Sequence, residues 1–284
     1  MSANALLSDQ DLPARPFPAY LRAHGAVKAG FRVGHRGTRI ADLYETGGFR
    51  LKFPHPEFAC AEAILVNTGG GMTGGDTLDV AIHTDAATNV LLTTQSAEKI
   101  YRSNGGLARI TSSLTLGADS TCAWIPQETI LFSGATIARA LHVTLPKSAT
   151  LLAAESIVFG RAASGEILGE GFFSDTWRIT REGKLIFAEN TRLVGDTAAL
   201  LARKAIADGA RSMATLVLVA PDAEAALEPA RAIMQAQTEH CALSAWNGMM
   251  VARLLNRDAQ ALRLALARLI VHLRGAAMPR VWQC

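Results

Sequence analysis

Three carboxylates stand in unusual company. Asp76 closes the run NTGGGMTGGD at 67–76, where Gly69, Gly70, Gly71, Gly74 and Gly75 lie between two apolar segments. Glycines at that density permit positive φ and close backbone approach, which suits a tight strand crossover or an anion-cradling loop. A phosphate loop needs a Lys and then Ser or Thr after its last glycine, but Asp76 and Thr77 follow here, and a carboxylate repels phosphate. Asp76 is therefore either part of a structural crossover or a functional carboxylate. Glu155 sits in the apolar run LLAAESIVFGR at 151–161 and Glu189 in LIFAENTR at 185–192. A buried carboxylate is costly unless it is paired, hydrogen-bonded or faces water. Arg161 and Arg192 are the nearest candidate partners in sequence. Structural salt bridges and a polar channel both remain open at this point.

Two further polar groups follow apolar segments. Ser96, Glu98, Lys99 and Arg102 cluster within 93–103, which by itself describes a solvated loop with a surface ion pair worth under about 1 kcal/mol. In CAWIPQE at 122–128, Pro126 implies a strand edge or bulge that either aims Gln127 and Glu128 into a cleft or forms an ordinary edge loop. The seven histidines show no HxH or HxxxH spacing, and only the adjacent His240 and Cys241 couple imidazole with thiol. That is too little for a stable first-row metal cage. No GxSxG or HExxH motif suggests a hydrolase.

The elements that must position these residues read as mainly β. Residues 77–83 alternate Leu78, Val80 and Ile82 against Asp79 and His83. Residues 108–116 and 137–145 alternate likewise, the second placing Ile137, Leu141, Val143 and Leu145 opposite Ala138, Ala140, His142 and Thr144, as half-buried strands do. Turn signals at 117–119, 164–166 and 182–184 recur, the last predicting a hairpin between 177–181 and 185–189. The spacing implies a sandwich, barrel or stacked-sheet body. Two helices are expected in the C-terminal half, near 222–240 with Asp222 as cap and near 250–274 with Gly275 as stop, both packed on the β-body. Residues 1–25, broken by Pro13, Pro16 and Pro18, read as a flexible tail rather than a signal peptide, leaving 26–284 as one domain.

Of the 284 residues, 49% are hydrophobic and 19% charged, enough apolar material for a core. The net charge of +3 comes from scattered basic residues, which argues against nucleic acid. The apolar stretch at 259–273 holds Arg263, Arg268 and His272 and is too short and too charged to span a bilayer. The four dispersed cysteines suggest neither a disulfide framework nor a zinc site, and the expected location is cytoplasmic.

The ordered set NTGGGMTGGD at 67–76, TTQSAEKIYRS at 93–103, WIPQETI at 124–130, ESIVFGR at 155–161, residues 171–193 and MPRVW at 278–282 resembles the UreD (UreH) family of urease accessory proteins. The resemblance implies a stacked-sheet or β-helical body with two helices, and a maturation role rather than an enzymatic one. It implies a complex with UreF, the GTPase UreG and apo-urease, with nickel as cargo in transit and no permanently bound cofactor. Asp76, Glu155 and Glu189 are then the expected route-lining carboxylates, with Ser96, Lys99, Arg161 and Arg192 as polar neighbours. The C-terminal helix and 278–282 become candidate surfaces for UreF. A passive docking scaffold that never touches nickel is the alternative.

Overall fold

The structure is a computed structural model that describes residues 22–54, 60–161, 165–166, 168–235 and 240–283. The chain enters on β1 (His24–Gly34), turns into its antiparallel neighbour β2 (Gly37–Thr46), and passes to a second antiparallel pair, β3 (Phe49–Lys52) and β4 (Ala61–Asn67). From there it coils. β5 (Thr77–Thr84), β6 (Asn89–Thr94), β8 (Ala108–Thr115), β9 (Thr121–Trp124), β11 (Thr136–Leu145) and β12 (Thr150–Phe159) fall alternately into two sheets, and the short β7 (Glu98–Ile100) and β10 (Thr129–Leu131) pair beside them. Within each sheet these coil strands pair in parallel, β5 with β8 and β8 with β11 in one, β4 with β6, β6 with β9 and β9 with β12 in the other.

This is a β-solenoid in which each turn adds a rung to both sheets, and antiparallel strands close its ends. One end is the hairpin of β13 (Glu170–Arg181) and β14 (Lys184–Asp196), turning at Glu182 and Gly183 as the sequence predicts. At the other sheet, β15 (Ser212–Val219), β17 (Met249–Asn256) and β16 (His240–Trp246) extend outward from β12. The inward rows of β5, β8 and β11 fill the space between the sheets, with Leu78, Val80, Ile82, Leu114, Ile137 and Leu141 all buried there.

A second core lies on the outer face of the β12 sheet, beneath the helices. Leu262, Leu266, Leu269 and Ile270 of α3 (Ala259–Arg274) bury their side chains against Leu152, Leu216, Met250 and Leu254, each contributing about 1.5–3 kcal/mol. β12 is therefore apolar on both faces, which is why its sequence shows no alternation. The Asp258 carboxylate accepts from the N–H groups of Gln260 and Ala261 at the start of α3, and Gly275 at φ 62° ends it. A short helix α1 (Thr197–Ala202) had no sequence signal, whereas α2 (Leu227–Met234), with Pro229 tolerated in its first turn, packs against α3.

Several expectations are corrected. The helix read over 250–274 begins only at Ala259, because 249–256 form β17 between β15 and β16. The helix read over 222–240 is a 3-10 turn at Ala223–Ala226 followed by α2. Asp222 makes no side-chain cap, and His240 is already strand. The tail read over 1–25 gives way to β1 at His24, while residues 1–21 lie outside the described part. In the segment at 278–282 Pro279 and Trp282 are buried, whereas Arg280 stays exposed.

Candidate functional site

Asp76 is a clasp for the glycine-rich crossover that carries the chain from β4 to β5. One carboxylate oxygen accepts from Ala23 N at 2.9 Å and the other from Thr73 N at 2.8 Å. The glycines serve close approach: a Cβ on Gly74 would stand 1.9 Å from Ser103 Oγ and 2.6 Å from the Gly106 carbonyl oxygen. The structural crossover is thus realised, and Asp76 does not line the interior cavity described next.

Between the sheets lies a cavity of about 60 Å³, room for roughly four waters at about 15 Å³ each. Glu98, Thr94, Gln127, Thr129, Ser112, Arg139 and Glu155 give it a polar lining amid Leu65, Leu78, Ile110 and Trp124. Glu98 is pushed up to about 7, chiefly because burial penalises its charge, while the hydrogen bond from Asn67 Nδ2 at 2.9 Å works the other way. Asn67 opens the glycine-rich run, so that loop also sets the orientation of Glu98. Gln127 is gripped on every side: its Nε2 donates to the carbonyls of Thr94, Gln95 and Val281, and its Oε1 accepts from Arg263 Nη2 at 3.0 Å. Arg263 also pairs with Glu128 at 2.6 Å and stacks 4.5 Å from the Trp282 ring, tying α3 and the C-terminal segment to this end of the cavity.

At the other side a single nitrogen, Arg139 Nη2, stands 2.7 Å from both Glu155 Oε2 and Asp175 Oδ2. Arg139 Nη1 donates to Thr129 Oγ1 at 2.8 Å, and Trp124 Nε1 donates to Glu155 Oε1 at 2.7 Å. Burial alone would lower the guanidinium pKa, but Asp175 and Glu155 more than offset it, and Arg139 stays charged. For Glu155, burial dominates over the opposing pull of Arg139, with the Asp175 carboxylate adding to it, and the acid is held above the usual carboxylate range.

Strand register carries the polar character onward. Glu155 lies beside Thr215, and Thr215 beside Arg253. In the facing sheet Arg139 lies beside Asp175, and Asp175 beside Thr191. Thr215 Oγ1 and Thr191 Oγ1 each stand 3.4 Å from Glu189 Oε1, and Arg253 pairs with Glu189 Oε2 through a half-exposed guanidinium. A polar seam therefore runs from the Glu98 cavity through Arg139, Glu155 and Asp175 to Glu189 at the solvent edge.

Glu155 and Glu189 share that seam, but their partners are not those nearest in sequence. Arg161 pairs with Glu166 instead of Glu155, and Arg192 lies over the Phe172 ring instead of against Glu189. Each partner comes from the facing sheet: Arg139 on β11 meets Glu155 on β12, and Arg253 on β17 meets Glu189 on β14. Ser96 and Lys99 are exposed, and Glu98 between them is the residue that lines the cavity, not a member of a surface pair. Arg139, Asp175 and Glu98 are absent from the sequence-based site. A signal existed for Arg139: it stands in the inward row of β11, between Ile137 and Leu141.

Among the described residues no three His, Cys, Asp or Glu side chains converge as a metal cage, and no helix is long and apolar enough to cross a membrane. Residues 23–283 match the family model described as UreD urease accessory protein. The chain is 44% identical over 279 residues to the urease accessory protein UreD of Methylobacterium sp. (strain 4-46), covering 95% of this chain and 98% of that protein. It is 42% identical over 265 residues to the UreD of Azorhizobium caulinodans, covering 93% and 98%. With the UreD of Rhodopseudomonas palustris (strain BisB18) the identity is 41% over 272 residues, covering 96% and 98%. A match across nearly the whole β-solenoid and its helices shows that the chain belongs to the UreD family of urease accessory proteins.

Proposed function

We propose that this chain passes nickel toward the active site of apo-urease along the polar seam between its sheets, in a cytoplasmic complex with UreF, UreG and the urease subunits. The supporting observation is a cavity lined by Glu98 and Glu155 together with hydroxyl and amide groups, beyond which Asp175 meets Glu155 across Arg139 and Glu189 follows through Thr215. A hydrated divalent cation moves through such a path by exchanging part of its shell for oxygens that bind it weakly and in series. Carboxylates supply the compensating charge for leaving bulk water. Glu98, ionising near neutrality, accepts the cation as it gives up its proton. Asp76 contributes by holding the crossover that places Asn67 and Glu98.

The docking-scaffold reading draws on a different observation: Glu155 and Glu189 are each paired with an arginine and so also serve the fold. The two readings separate in host cells that produce urease with this chain at limiting nickel. A conduit predicts that the Glu98→Gln and Glu155→Gln chains still assemble with urease but leave it short of nickel and activity. If urease is fully loaded with both variants while substitutions on the exposed face of α3, at Leu264 or Val271, abolish loading, the scaffold reading stands and the conduit falls.

A further inference from the structure

A buried guanidinium in the middle of a cation path is an electrostatic contradiction, because it occupies the place a cation needs. One nitrogen of Arg139 lies 2.7 Å from an oxygen of each of two carboxylates, the position that a bridging cation would take. A first-row divalent ion binds carboxylate oxygen at about 2.0–2.2 Å, so each side chain need close by only about half an ångström. The trio is also left incompletely bonded: Arg139 Nε and Asp175 Oδ1 are both buried without a hydrogen-bond partner. An unpaired donor and an unpaired acceptor weaken the closed arrangement, and the free oxygen is ready to receive a cation.

Resting on the conduit reading, we infer that Arg139 is a tethered competing cation, a specificity-determining gate that a divalent ion displaces from Glu155 and Asp175 and a monovalent ion does not. Exchanging the guanidinium for Na⁺ or K⁺ gains no charge and forfeits directed, charge-assisted hydrogen bonds. A divalent ion brings twice the charge to two carboxylates and neutralises both. The displaced guanidinium has somewhere to go: Nη1 already holds Thr129, the Phe173 ring stands 5.9 Å away, and the adjoining cavity provides the space. Because it remains attached, it competes at high effective concentration for its old position and drives the ion onward. The gate thus turns what would be a binding site into a transit station.

The test uses NiCl₂ as the probe on the full-length chain. Removing the competitor in Arg139→Gln should tighten Ni²⁺ binding about tenfold or more and slow nickel delivery to urease, while Arg139→Lys, which keeps a tethered charge, should stay within about threefold of the parent. A folded Arg139→Gln chain that binds Ni²⁺ no tighter than the parent would overturn the gate. Should Arg139→Gln fail to fold, the unsubstituted chain decides. Trp124 and Trp177 donate to Glu155 and Asp175, so their emission should change saturably with Ni²⁺ and not with a hundredfold excess of KCl, on the order of the discrimination expected for doubled charge. No response to Ni²⁺, or the same response to KCl, refutes the gate. Failure of the conduit reading is distinct from either: it is full nickel loading of urease by Glu155→Gln, whatever Arg139 does.

Discussion

Replacing Glu98 with Gln should stabilise the protein at alkaline pH and leave it unchanged at acid pH. Burial raises the Glu98 carboxyl from 4.5 to about 7. The folded chain therefore binds this proton more tightly than the unfolded chain. Below the unfolded value both states are protonated and there is no penalty. As pH rises from about 4.5 through about 7 the folded state loses stability, and above that window the loss is complete. At 1.36 kcal/mol per unit the full displacement corresponds to about 3.4 kcal/mol, and water in the adjoining cavity reduces it to about 1–3 kcal/mol. Gln cannot ionise, yet its Oε1 still accepts from Asn67 Nδ2. Urea unfolding followed by tryptophan emission should give a difference near zero between parent and Glu98→Gln at about pH 4, and about 1–3 kcal/mol in favour of the variant at about pH 8. Other carboxylates titrate alike in both proteins and cancel. A difference that does not change with pH would refute the burial argument, and with it the proton exchange assigned to Glu98. The same variant should deliver less nickel, so stability and function would part at this residue.

Three other substitutions have definite expectations. Asp76→Ala leaves the N–H groups of Ala23 and Thr73 without their acceptor and should cost about 2–4 kcal/mol in urea unfolding, the sum of two lost backbone partners at about 1–2 kcal/mol each. Gly74→Ala drives a methyl group into Ser103 and the Gly106 carbonyl and should destabilise by about 1–3 kcal/mol, measured the same way; an unchanged midpoint would mean the crossover is looser than described. Trp282→Ala removes the ring that Arg263 stacks on and the indole N–H that donates to Thr93 Oγ1 at 2.9 Å. It should cost about 3–5 kcal/mol and speed amide exchange on β6 and around Gln127, and protection equal to the parent's would show that the C-terminal segment does not hold that end of the cavity.

Local pattern and tertiary context divide cleanly in this molecule. The half-buried strands β5, β8 and β11 were legible because one face meets the core and the other meets solvent, so period-two alternation survives in the residue types. The β13–β14 hairpin and the stop at Gly275 were legible because they depend on positive φ at a few turn residues. β17 reads as helix because it is flanked on both edges and covered on both faces over Met249–Ala252, with Arg253 reaching solvent beyond. Its apolar residues satisfy a helical stripe as easily as a strand until β15 and β16 are known to be its neighbours. Residue types alone placed Glu155 and Glu189 where a carboxylate needs explaining. Which arginine answers each could not be read from sequence distance: coiling brings Arg139 from the facing sheet to Glu155, and sheet extension brings Arg253 to Glu189. The cost of burying charge is written in the sequence, whereas the partner that offsets it is chosen by the stacking of coils.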